Sequence, residues 1–376
     1  MAVSRSAGKL SHFRGRKRTH TIPCVAEKFL VINGSQGEGG GQILRTSVAL
    51  AAALGVDVKI TNIRAKRPKP GLRQQHLTAV RAAAAVCHGG LAGDSIASQE
   101  LTFRPGPVAA GRFRFDIPTA GSTVLVLQTV IPALMLSDGD SEVIATGGTH
   151  NPLAPCFEYL RDVFGLLASA ANLQAYFDME RAGFYPAGGG KITMQIRGAT
   201  GGENLAALRF ASRGELRYIE GVSGRSRSLP ADIAERQAQQ VLARLAAAGH
   251  KATIEQAAWD SQSPGTVVFV RAVFARTVAG FFALGRKGKP AFRVADEAAD
   301  ALLAFLASDG ALDAHAADQL LPIAALCPGE SHFRTERVTS HLLTVAEVIR
   351  QLTGRAVNID GRMDGPGTVS VLKASA

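Results

Sequence analysis

The feature that most constrains this chain is an alternation of short apolar runs with Ala/Leu-rich amphipathic stretches. Phe29–Ile32 reads as a strand, Ile43–Leu54 as a helix, Val58–Ile63 as a strand and Gln75–Cys87 as a helix. The pattern recurs as strand Phe113–Ile117, helix Ser122–Leu136, strand Glu142–Ala145 and helix Phe157–Ala168. It returns near the end with helices around Asp318–Leu326 and Ser340–Leu352 and a strand near Val369–Leu372. Such alternation builds α/β layers. The segments "HLTAVRAAAAVCHG" (His76–Gly89) and "HLLTVAEVIRQLTG" (His341–Gly354) share an opening His-Leu, a Val four residues on and a closing Gly. Glycine turns precede helices in both "GEGGGQILRTSVALAAALG" and "TAGSTVLVLQTVIPALML", so a repeated β-α-β-α-type unit is expected. At 376 residues the chain exceeds the roughly 250–300 at which one core stops growing. The region 204–307 breaks the pattern, with strand-like runs at Leu216–Val222 and Val267–Phe274, a helix over Ala231–Ala248 and another over Ala295–Ala307. It reads as a small domain inserted between 26–203 and 308–376 of a larger one.

The connection "NGSQGEGGGQILR" (Asn33–Arg45) sits where a phosphate-binding loop belongs, between a strand and a helix. It fails both common fingerprints. Counted from Gly37, the last position of G-x-G-x-x-G is Gln42, and no G-K-[ST] follows. Its glycines let backbone N–H groups approach an anion. Glu38 in their midst repels phosphate unless a divalent cation joins the two, so Glu38 is a candidate ligand for Mg²⁺ or Mn²⁺. Arg45, one to two turns along the helix, is placed to reach the same anion; a tight turn with a solvated glutamate is the plainer alternative.

Charge points the same way. The formal net charge is +11, and Lys59–Gly93 carries seven Lys/Arg and no acid. That is either a solvated basic face or a track for polyphosphate or nucleic acid. Within it, the prolines and glycine of "IRAKRPKPGLRQQHL" (Ile63–Leu77) hold the cations on a structured loop. Residues 1–25 contain six further Lys/Arg and read as a disordered basic tail. There is no unbroken apolar run of about 18 residues and no secretory h-region. The four cysteines are scattered, without C-x-x-C. A reduced, cytoplasmic protein without structural zinc or membrane contact is expected. "RAGFYPAGGGK" (Arg181–Lys191) is a further glycine-rich turn.

Among the nine histidines His341 stands apart. Thr339 and Ser340 make an N-cap, which puts His341 in a first helical turn at the edge of the buried stripe of Leu342, Val345, Ala346 and Ile349. The positive end of a helix dipole disfavours imidazolium, and a neutral imidazole is a nucleophile or a base.

Together these stretches resemble the RNA 3′-terminal phosphate cyclase family. The resemblance runs through "GSQGEGGGQILR", "IRAKRPKPGLRQQHL", "GSTVLVLQTVIPAL", "GGTHNPLAP", "RAGFYPAGGGK", "ADQLLPIA" and "SHLLTVAEVI", in the family's order, over about residues 29–372. It implies a large domain of repeated β-α-β-α-β-β units, similar to those of enolpyruvyl transferases, with a smaller α/β insert. It implies that ATP and a divalent cation convert an RNA 3′-phosphate into a 2′,3′-cyclic phosphate by way of a histidine–AMP intermediate. By position, His341 would be the nucleophile and Glu38 the metal-contacting carboxylate. Arg45, Arg64, Arg67 and Gln75 would fall among phosphate and active-site contacts, and Gln128, Pro155, Asp318 and Gln319 at the nucleotide site. His315 stands where bacterial members often have a tyrosine that stacks on adenine; imidazole stacks more weakly. The rivals are a non-catalytic cyclase-like RNA-binding protein, an enolpyruvyl-type transferase and a plain RNA-binding module. His341 and the Glu38/Arg45 loop argue against the first.

Overall fold

The computed structural model describes residues 29–373; the basic tail lies outside them. The chain builds one supersecondary unit three times. In the first, β1 (Leu30–Asn33), α1 (Gly41–Leu54), β2 (Val58–Thr61), α2 (Gln74–Val86), β3 (Gly90–Ala92) and β4 (Leu101–Arg104) give a sheet of order β1-β2-β4-β3. The first two strands are parallel and the hairpin pair antiparallel. The second unit repeats this with β5 (Arg112–Asp116), α3 (Thr123–Leu134), β6 (Asp140–Gly147), β7 (Gln174–Arg181) and β8 (Gly190–Arg197), order β5-β6-β8-β7. Its second helix, read as continuous over Phe157–Ala168, consists of α4 (Phe157–Tyr159) and α5 (Gly165–Ala168) on either side of a π-helical turn, Leu160–Phe164.

The third unit opens with β9 (Arg209–Phe210) and is then interrupted. The insertion holds β10 (Leu216–Ser226), α6 (Asp232–Ala247), β11 (Ala252–Trp259), β12 (Thr266–Phe274), β13 (Val278–Leu284) and α7 (Ala291–Ala307), with sheet order β11-β10-β12-β13. The unit resumes with α8 (Ala314–Leu326), β14 (Ser331–Thr335), α9 (Ser340–Thr353), β15 (Val357–Gly361) and β16 (Gly367–Val371). β9 pairs in parallel with β14, through His332↔Arg209 and Phe333↔Phe210. The boundary at 204 therefore moves: Arg209–Phe210 belong to the third repeat, and the insertion's own sheet begins at Leu216.

The repeat gives the internal sequence similarity a structural meaning. His76–Gly89 and His341–Gly354 cover α2 and α9, the second helices of units one and three. The two glycine-led segments cover α1 and α3, the first helices of units one and two. The helices carry the main core. α1 packs against α3 and α9, and α8 against α9, burying Ile43, Val48, Val126, Leu320, Val345 and Ile349 completely or nearly so. The insertion has its own core around Val241, Val270, Leu302 and Phe305.

Packing α1 on α9 has a consequence for the site. Both helices begin at the same end of the layer, so the glycine loop ahead of α1 meets the first turn of α9. Gly37, with φ +51°, lies against Thr344, and a Cβ there would run into its hydroxyl.

Candidate active site

The site grows from helix N-termini. α3, α8 and α9 are capped by side chains: Ser122 accepts from Leu125 N–H, Asp313 from His315 and Ala316 N–H, and Thr339 from Leu342 N–H. α1 and α2 begin at Gly40 and Arg73 without a side-chain cap and without an acid in the first turn. Unfilled N–H groups at a helix start favour an anion. The two starts are neighbours, because a Cβ at Gly41 would collide with His76 Nε2 of α2.

At their meeting point stands Glu38. One carboxylate oxygen lies 3.1 Å from His341 Nε2 and the other 3.3 Å from Arg67 Nη2. A Cβ at Gly40 would sit 2.5 Å from Glu38 Oε1 and 2.6 Å from Arg67 Nη2, so glycine is what leaves room for this cluster. Burial lowers the pKa of His341; Glu38 pulls it back up, while Arg45, His315 and Arg67 reinforce the lowering. The contact has the distance of an ion pair, yet the net direction is downward. We take the ring as neutral, because burial, reinforced by Arg45 and Arg67, outweighs one carboxylate. A neutral imidazole with one nitrogen held by a carboxylate is oriented and keeps a lone pair for attack.

Beside this cluster opens a cavity of about 790 Å³. Arg45, Gln128, Pro155, His315, Asp318, Gln319 and His341 all line it, so residues spread over most of the chain converge. One wall belongs to the insertion, through Gly280, Phe281 and Phe282. Gln128 Nε2 donates to Gln319 Oε1 at 2.6 Å across the gap between α3 and α8. Arg45 Nη2 donates to Gln42 at 2.6 Å. Burial lowers the Arg45 pKa to about 10, with Asp318 and Glu38 opposing, which leaves it cationic at neutral pH. Burial, with Asp313 adding to it, pushes the Asp318 carboxyl well above its usual range, against the pull of Arg45. That favours the protonated form, which is able to donate a hydrogen bond.

The remaining sequence candidates lie outside the cavity. Arg67 is spent on Glu38. Arg64, at φ +54°, turns its Nη1 back onto the carbonyls of Lys69 and Gly71, at 2.7 and 2.8 Å, and so shapes the basic loop. Gln75 accepts from Ser122 N–H at 2.7 Å, tying the start of α2 to the start of α3.

Sequence reasoning missed His76. Its Nδ1 is buried without a hydrogen-bond partner. Burial lowers its pKa to about 3, with Arg45, Arg64 and Arg73 adding to the effect. It occupies in α2 nearly the place that His341 occupies in α9, and the shared His-Leu of the two segments was its only signal in the sequence. The folded ring takes a proton only near pH 3, the unfolded ring already below about 6.5. Acid between these values therefore favours the unfolded chain. His76→Gln is expected to flatten the loss of urea resistance between pH 6.5 and 4, removing up to about 1 kcal/mol per pH unit. Parallel pH profiles of parent and variant would refute this.

The sequence comparisons now bear on this geometry. The family described as RNA 3′-terminal phosphate cyclase matches residues 36–359. A protein of that name from Methylococcus capsulatus is 44% identical over 349 residues, covering 91% of this chain and 96% of its own length. This chain belongs to the RNA 3′-terminal phosphate cyclase family. Namesakes from Hyperthermus butylicus (42% over 330 residues, 86% of this chain and 91% of the relative) and Methanothermobacter thermautotrophicus (39% over 346 residues, 91% and 100%) agree. The matched span takes in Glu38, the cavity residues of α3 and α8, and His341 at the start of α9. No described helix is long and apolar enough to cross a membrane.

Proposed function

We propose that this chain uses ATP to convert the 3′-phosphate of an RNA into a 2′,3′-cyclic phosphate. The observation that carries the reading is His341: a half-buried imidazole of lowered pKa, held by Glu38 at 3.1 Å, at the rim of a nucleotide-sized cavity. The names of the relatives supply the reaction class.

The lone pair of neutral His341 attacks the α-phosphorus of ATP; the bond to the β-phosphate oxygen breaks and pyrophosphate leaves. An oxygen of the RNA 3′-phosphate then attacks the phosphorus of the histidine–AMP and displaces the imidazole. The vicinal 2′-OH next attacks the activated RNA phosphate, losing its proton, and AMP departs. Adenylylation is needed because hydroxide is a poor leaving group and AMP a better one, and the covalent intermediate splits a hard step into easier ones. The chain's contribution is charge and position. Arg45 and the open N-termini of α1 and α2 face the phosphates. Gln128, Gln319, Asp318, His315 and Pro155 hold the nucleoside in the cavity.

Among the described residues, no three His, Cys, Asp or Glu side chains stand together as a self-sufficient metal site. That suits a cation held through one carboxylate, Glu38, with phosphate oxygens and water completing its shell, as Mg²⁺ commonly is. Bound there, Mg²⁺ or Mn²⁺ would neutralise phosphate charge.

The test is a pair of short RNAs, both 3′-phosphorylated, one ending in a 2′-deoxynucleotide. With ATP and metal the ribose end is expected to become phosphatase-resistant and to release AMP. The deoxy end is expected to accumulate as the adenylylated RNA, because the nucleophile of the last step is missing. A ribose end that stays phosphatase-sensitive would remove the cyclase reading and favour the non-catalytic RNA-binding alternative.

A further inference from the structure

The turn between β7 and β8 carries a side chain that the fold does not use. Tyr185 is 71% exposed, yet the backbone beneath it is heavily fixed. Phe184, next to it, is buried and stacks on His150 with ring centroids 4.9 Å apart. His150 is itself stacked on Trp259 of the insertion at 5.4 Å and held by Glu158 at 3.0 Å. Gly188 N–H donates to Phe184 O at 2.8 Å, and Ala187 N–H to Ser263 Oγ at 3.0 Å. Gly188 and Gly189, at φ +72° and +68°, adopt a conformation that costs glycine nothing. A Cβ on Gly188 would come within 2.8 Å of Ala120 Cα, so the turn lies backbone to backbone on the loop ahead of α3. Single exposed aromatics are common and need no explanation on their own. What distinguishes Tyr185 is where this scaffold puts it.

The loop Thr119–Ser122 is the middle of a continuous shelf. On one side it touches Gly188, and Ala120 O accepts from Asn151 Nδ2. On the other, Ser122 N–H donates to Gln75, the neighbour of His76. Adding these contacts to the Cα spacing puts Tyr185 within about 30 Å of the start of α2, and the closed turn shortens that further. One end of the shelf is cationic: Arg73 is exposed, and among the described residues it forms no ion pair. The other end is aromatic. Arg181 lies beside it, its Nε donating to Gly189 O at 2.6 Å. Leu153, fully exposed at φ +63°, flanks the cavity mouth three residues after His150.

We propose that this shelf carries the single-stranded RNA just upstream of the reacting end, with the base of a preceding nucleotide stacked on Tyr185. The proposal rests on the cyclase reading and names how that site grips its substrate. A basic start followed by a rigid, solvent-facing ring suits an unpaired strand. Phosphates meet Arg73, and any base offers a π face to tyrosine, so the grip is tolerant of sequence. A folded protein partner would want a contiguous apolar patch; the shelf offers one exposed ring and separate side chains among polar backbone.

The test is equilibrium binding of a fluorescent, 3′-phosphorylated single-stranded RNA to the full chain over a range of salt. Tyr185→Ala is expected to raise Kd about tenfold or more at every salt concentration, with the salt slope unchanged. Tyr185→Trp restores binding. Arg73→Ala instead flattens the slope by about 0.7. An abasic residue at the stacked position weakens binding to the parent by the same factor and adds nothing in Tyr185→Ala. Because Tyr185 is solvent-facing, the variant is expected to melt with the parent, which excludes misfolding. A Kd for Tyr185→Ala within twofold of the parent overturns the shelf, as does an abasic scan without a position coupled to Tyr185. Binding needs no ATP. An unmoved Kd in a chain that cyclises RNA sinks the shelf alone, whereas a parent chain that leaves the RNA 3′-phosphate unchanged sinks the cyclase reading, whatever Tyr185 does.

Discussion

His341→Ala is expected to take no label from α-labelled ATP, where the parent chain carries acid-labile, alkali-stable AMP after denaturation. Cyclisation should fall by on the order of 10⁴-fold or more, because loss of the nucleophile closes the covalent route rather than weakening one contact. The structure keeps the interpretation clean. The His341 side chain is 45% exposed. The cap of α9 is Thr339, which accepts from Leu342 N–H at 3.1 Å without involving the His341 side chain. The buried face of the helix starts at Leu342. Alanine is a better helix former than histidine, so the variant should melt close to the parent. The pH dependence carries a second check. Since burial lowers the His341 pKa despite Glu38, the ring is neutral at pH 7 and labelling should stay flat there. It should fall only on the acid side of 6.5, as the ring takes a proton. Label that persists in His341→Ala would move the nucleophile elsewhere, and His76, the counterpart in α2, would be the next residue to replace.

The parts of this fold legible in the sequence are those with long periodic segments. α1, α2, α3 and α9 have apolar stripes and glycine boundaries, and their bounds shift by only a residue or two. The repeat showed through because equivalent helices kept similar faces, α2 with α9 and α1 with α3. What stayed hidden depends on distant pairing. β9 is two residues long, too short for any period, and is a strand only because β14 pairs with it from more than a hundred residues away. β11 mixes polar and apolar residues along a half-exposed strand beside β10, which weakens alternation as a signal. The π turn at Leu160–Phe164 leaves no mark in a sequence that reads as one helix. The site divides in the same way. Residue type and spacing singled out Glu38, Arg45 and His341. That Arg67 turns to Glu38, that Arg64 folds back on its own loop, and that Gln75 holds the start of α3 are facts of side-chain direction. Spacing does not encode them.

Asp313→Ala is expected to lose stability and nucleotide binding together. The residue is completely buried, and its carboxylate serves four donors. Oδ1 accepts from His315 N–H at 3.0 Å, Ala316 N–H at 2.9 Å and the Tyr159 hydroxyl at 2.7 Å, and Oδ2 from Gly280 N–H at 3.4 Å. Alanine removes the cap of α8, worth about 1 kcal/mol. It also strands a buried phenol, at about 1–3 kcal/mol. The sum is roughly 3 kcal/mol, or about 4 °C in melting temperature for a chain of this size. Asp313→Asn keeps the Oδ1 acceptor and disturbs only the long Gly280 contact, so it should lose much less. The functional half follows from what the carboxylate joins. Tyr159 belongs to the second repeat, α8 to the third and Gly280 to the insertion, and each contributes to the wall of the cavity. When the first turn of α8 frays, His315, Asp318 and Gln319 lose their positions, and ATP affinity should fall at temperatures where the chain is still folded. A variant that melts with the parent would show that the cap is dispensable. One that melts early yet binds ATP normally would show that the cavity is held from its other walls.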